Sequence, residues 1–87
     1  MNVENKSTMK GGEQMTNTVE LEIAIMRAGL TKREVAKRLG LSEMGFYKKI
    51  NNITEFKASE IETLVNMLSI KNIGEIFFNG KVDLKST

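Results

Sequence analysis

The stretch LTKREVAKRLGLSEMGFYKKIN, residues 30–51, decides the fold. Two short helical patterns meet in it at Leu39-Gly40-Leu41-Ser42. Thr31, with Glu34 three residues later, reads as a capping box that starts a helix. Val35, Ala36 and Leu39 form the buried side of that helix, and Gly40 supplies the left-handed residue that stops it. Ser42 caps the next helix, in which Phe46 and Ile50 lie one turn apart and point into the core. The small Ala36 lets the two helices approach, while Leu41 and Phe46 hold them at a wide angle. Asn51-Asn52 ends the second helix, because asparagine tolerates positive φ better than most residues.

On the N-terminal side a helix is expected from Asn17 to Ala28, closed by Gly29. Leu21, Ala24, Ile25 and Ala28 follow the i, i+3, i+4, i+7 rule and face the core; Val19, Ile23 and Met26 form a second apolar stripe. On the C-terminal side a fourth helix begins near Lys57 or Ala58, with Ile61, Leu64, Val65 and Leu68 as its apolar stripe. A short fifth covers 72–78, with Ile73, Ile76 and Phe77 inward and Phe78 on another face. No strand-like alternation persists and there is no proline. The expected architecture is all-α, with five helices in one domain over 17–80, a flexible N-terminal tail over 1–16 and a C-terminal tail over 81–87.

The N-terminal tail carries one further reading. Met9-Lys10-Gly11-Gly12-Glu13-Gln14-Met15 back-translates to a purine-rich tract resembling a bacterial ribosome-binding site, followed by a start codon. Met15 is then the natural start, and residues 1–14 belong to a mis-set gene start. An ordinary polar tail is the competing reading, and the DNA sequence over Gly11-Gly12 separates the two.

Composition narrows the chemistry. The chain has 87 residues, with no cysteine and no histidine. Disulfides, thiol chemistry, the commonest metal ligand and the usual general base at neutral pH are therefore missing. No carboxylate pair has a spacing that suggests a site, so no enzyme activity, metal, cofactor or small-molecule substrate is expected. No apolar run approaches the ~18 residues that span a bilayer, and the N-terminus is too polar for a signal peptide. A cytoplasmic protein without membrane association is expected. Net charge is +2, but Thr31–Asn51 carries +4 and the remainder −2. Positive charge thus gathers around the bend at Gly40.

A helix fits the major groove of B-DNA, and its N-terminal half reaches the base edges. The free side of the helix over 42–51 offers Glu43, Met44, Tyr47 and Lys48 as base readers. Lysine donates to guanine O6 and N7, methionine and the tyrosine ring cover a thymine methyl, and glutamate accepts from a cytosine amino group. Tyr47 has packing beside Phe46 as its alternative role. Lys32, Arg33, Ser42, Asn51, Thr54 and Lys57 are candidate phosphate contacts, with solvated surface as the alternative; Lys37 and Arg38 face solvent.

Residues 30–51 resemble the helix-turn-helix of the lambda-repressor and Cro type, the xre family. Thr31, Ala36, Leu39, Gly40, Ser42 and Phe46 stand at that motif's cap, small residue, core leucine, turn glycine, second cap and core apolar position. With FYKKINN, EFKASEIETLVNMLSI and EIFFNGKVDLKST following in order, the resemblance covers the chain from about Leu21 onward and looks like that of small phage or prophage regulators of Gram-positive bacteria. It implies a lambda-repressor-like domain that binds a double-stranded operator and regulates transcription as a repressor or Cro-like protein. Four positions depart from the pattern. Asn52 replaces a usual glycine, Lys49 a usual apolar residue, Gly45 sits inside the reading helix, and Glu43 brings a negative charge to DNA.

A weak homodimer is expected, because paired half-sites double the base contacts of a single reading helix. Its seam is placed at the fifth helix and the tail around Phe78, Gly80 and Val82, with the Val19, Ile23, Met26 stripe as runner-up. The rival function is a protein-interaction module, such as an antitoxin or anti-repressor, for which the exposed apolar residues form a partner patch.

Overall fold

The computed structural model describes residues 14–78. They form α1 (Thr18–Arg27), α2 (Lys32–Arg38), α3 (Glu43–Ile50), α4 (Ala58–Leu68) and α5 (Ile73–Phe77). Among the described residues there is no strand, only an isolated parallel bridge between Met15 and Phe78. None of these helices is long and apolar enough to cross a membrane.

Local chemistry sets the helix ends. Asn17 caps α1 by accepting the Glu20 N–H at 3.2 Å. The capping box of α2 is complete. Thr31 Oγ1 accepts the Glu34 N–H at 3.1 Å, and the Glu34 carboxylate accepts the Thr31 N–H at 2.8 Å. Gly40, at φ 75°, turns the chain between α2 and α3. The Leu41 N–H returns to the Ala36 carbonyl at 2.9 Å, so the turn closes onto α2. Asn52 is left-handed at φ 65°, as its replacement of glycine requires.

The core is aromatic at its centre. Phe56 lies 5.9 Å between ring centroids from both Phe46, tilted at 58°, and Phe77, edge to face at 89°. Leu21, Ile25, Val35, Ile50 and Leu64 close around them. Phe56 has no place in the helical patterns of the sequence, since it lies in the loop between α3 and α4 with no period to betray it. Three apolar residues differ from expectation. Ala28 is exposed because it caps α1 beyond the last buried turn. Ile73 is 39 % exposed at the start of α5. Phe78 is half-buried and packs against the core, not out into solvent. Its N–H donates to the Gly74 carbonyl at 3.0 Å. Gly80 and Val82 lie outside the described residues.

The packed region also starts earlier than Asn17. Thr16 is buried, and the Met15 N–H donates to the Phe77 carbonyl at 2.8 Å. Gln14 Oε1 accepts the N–H of buried Phe56 at 2.9 Å, while its Nε2 donates to Thr16 Oγ1 at 2.6 Å and to the Phe77 carbonyl at 3.2 Å. Of the expected tail, 14–16 therefore belongs to the fold, and residues 1–13 lie outside the described ones.

Candidate nucleic-acid interface

α3 is two-sided. Phe46 and Ile50 are both 1 % exposed against the core. On the opposite side Met44 is 61 % and Tyr47 55 % exposed, with Lys48 exposed beside them. Tyr47 therefore points outward, not into the core beside Phe46. Gly45 has a local reason. A Cβ there would stand 3.1 Å from Ser42 Oγ, which accepts the Gly45 N–H at 2.9 Å to cap α3. The residue that costs helix propensity makes room for the cap.

The start of α2 and the first turns of α3 enclose a shallow cleft of about 200 Å³, lined by Lys32, Arg33, Glu43, Phe46, Tyr47 and Ile50. Four candidate DNA contacts thus share one wall. Two of the cations there are already paired. Lys32 Nζ donates to Glu22 at 2.6 Å, and Arg33 Nε lies 3.1 Å from Glu43. All four side chains are more than a third exposed, and such pairs are worth at most about 1 kcal/mol. A phosphate can displace either carboxylate. Glu22 had no signal in the sequence, because its partner lies ten residues away on another helix.

The other candidates are spread along the edges. Ser42 is committed to its cap at the start of α3. Asn51 ends α3, where its side-chain amide donates to the Tyr47 carbonyl at 3.0 Å. Thr54 is exposed in the loop beyond, and the N–H groups of Ile53 and Thr54 both return to the Lys48 carbonyl, at 2.8 and 3.2 Å. This turn presents Ile53, 62 % exposed, an apolar residue the sequence reading passed over. Lys57 is exposed just before α4.

Lys49, out of pattern in the sequence, has a structural partner. Its ammonium donates to Glu60 at 2.7 Å, with the two side chains only 13 % and 10 % exposed. The same Glu60 oxygen accepts the Lys57 N–H at 2.8 Å. Burial pushes the Glu60 carboxyl up, but the Lys49 hydrogen bond, the Lys57 N–H and the two lysine charges outweigh it and hold it below the usual value. The pair ties the edge of α3 to the first turn of α4 and so orients the outward face.

The chain matches no family model, no curated protein and no solved structure. Its functional reading rests on its own residues and on the resemblance of residues 30–51.

Proposed function

We propose that α2 and α3 act as a helix-turn-helix of lambda-repressor type, and that the protein is a cytoplasmic, sequence-specific DNA-binding regulator of transcription. One observation carries the reading. The face of α3 opposite Phe46 and Ile50 is exposed over Met44, Tyr47 and Lys48, with basic Lys32 and Arg33 lining the cleft beside it and Lys57 exposed before α4. Phosphate contacts from the flanking cations set the register on the duplex, and the α3 side chains read the groove. Asn51 and Ser42, candidate phosphate contacts, spend side-chain groups on capping and local bonds, and Glu43 is paired with Arg33, so base reading falls mainly to Met44, Tyr47 and Lys48.

Electrophoretic binding to the DNA flanking the protein's own gene tests this. A shifted complex that survives excess random duplex supports it. If no duplex binds and Lys48→Ala and Tyr47→Ala change nothing, the protein-interaction reading moves ahead.

A further inference from the structure

The outer face of α1 serves neither the core nor the α3 surface. Val19 is 62 % and Met26 68 % exposed, with half-buried Ile23 between them, on the side opposite buried Leu21 and Ile25. Glu20 in the first turn and Arg27 in the last lie along one edge of this stripe. Both also rim a cleft of about 240 Å³ against the α4–α5 junction, where Ile23, Leu68, Ile70 and Ile76 supply apolar walls. Among the described residues neither Glu20 nor Arg27 has an ion-pair partner.

We propose that this face pairs with the same face of a second copy, with the two α1 helices antiparallel about a two-fold axis close to Ile23. The charges select that occupant and that direction. A two-fold axis brings a surface against itself, so the surface must be its own complement. Glu20 and Arg27 stand seven residues apart, roughly 10 Å along the helix. Antiparallel pairing sets Glu20 against the partner's Arg27 twice per dimer. Parallel pairing sets this edge against the other edge of the second copy, which brings the Glu20 carboxylate beside the Glu22 carboxylate of that copy. On the other edge of the antiparallel pair Glu22 is neutralised by Lys32 at 2.6 Å, so the two Glu22 carboxylates do not repel across the seam. Val19, Ile23 and Met26 then cover their counterparts. A helix of ten residues is roughly 15 Å long and gives a contact smaller than stable dimers use. Association is weak, and it does not depend on DNA.

The absence of cysteine makes the test direct, because one introduced thiol is the only thiol. A residue beside a two-fold axis meets its own copy, and a disulfide needs the two Cα atoms within about 7 Å. Under copper-phenanthroline oxidation of the free protein, Ile23→Cys should form covalent dimer at least tenfold faster than Lys37→Cys on the exposed side of α2. By sedimentation at high concentration, Glu20→Arg and Arg27→Glu should each weaken the dimer about tenfold, and the two together should restore it. These exposed substitutions keep the test sound if Ile23→Cys alters folding. The proposal is overturned if Ile23→Cys cross-links no faster than the control, or if the double variant stays as weak as the singles. Either result leaves the stripe to a different protein and leaves DNA binding untouched.

Discussion

Asn52 and Thr16 clasp each other through two hydrogen bonds. The Asn52 side-chain oxygen accepts the Thr16 N–H at 2.8 Å, and its amide donates to the Thr16 carbonyl at 2.8 Å. The left-handed residue just after α3 thereby holds down the segment leading into α1. Thr18 Oγ1 repeats the tie by donating to the Ile50 carbonyl at 2.6 Å. Asn52→Ala loses both bonds and strains a backbone at φ 65°. It should cost about 2–4 kcal/mol by urea melting. Asn52→Gly relaxes the backbone and should cost less. Equal costs would mean that the left-handed backbone adds no strain, and an Asn52→Gly chain as stable as the wild type would mean that the clasp contributes nothing.

The contribution of Gln14 can be measured on a chain shortened to Met15. A chain beginning there lacks Gln14 and leaves the Phe56 N–H without its protein partner. Compared with a chain that retains Gln14 behind an added methionine, it should lose roughly 1–3 kcal/mol. Matching melting curves would show Gln14 to be dispensable.

Phe46→Ala empties a site between α3 and Phe56. The loss should be about 3–5 kcal/mol, most of the stability of a domain this size. An unchanged melting temperature would mean that α3 is not held by this ring.

The Lys49–Glu60 pair should register in acid. Glu60 has a lowered pKa in the folded chain, so its contribution is fully present above the unfolded carboxyl's pKa. It is lost as pH falls through the folded value. Glu60→Gln leaves a nearly buried ammonium without its counter-charge and should cost on the order of 3 kcal/mol near neutrality. The gap between variant and wild type should narrow as the pH is lowered through the carboxylate range. A gap independent of pH would rule out the charge as its cause.

The two kinds of DNA contact should separate in competition. Lys32→Ala and Lys57→Ala should weaken binding to all duplexes alike and reduce the salt slope by roughly one unit each. Lys48→Ala should cost ~1–3 kcal/mol at a cognate site and much less on random DNA. Equal losses on both duplexes would make Lys48 another phosphate contact.

Much of this chain is legible before folding, wherever the information is local. The Thr31–Glu34 capping box, the Ser42 cap and the left-handed positions Gly40 and Asn52 depend on neighbours within a few residues. So does the inward side of α3, because Phe46 and Ile50 share a face through helical period alone. Residues 30–51 announce an exposed basic helix behind a tight turn for the same reason. What remained hidden joins residues distant in sequence. Phe56 gains its place from Phe46 and Phe77, Gln14 from Phe56, Asn52 from Thr16, Lys49 from Glu60, and Lys32 from Glu22. None of these partnerships has a period or a motif. Each arises only when the packed chain brings distant residues together, aromatic rings inside the core and polar groups around it. The sequence by itself therefore determined the helices and the outward face of α3. Only the tertiary structure decided which cations are shared with carboxylates, and that the chain's fold begins by Gln14.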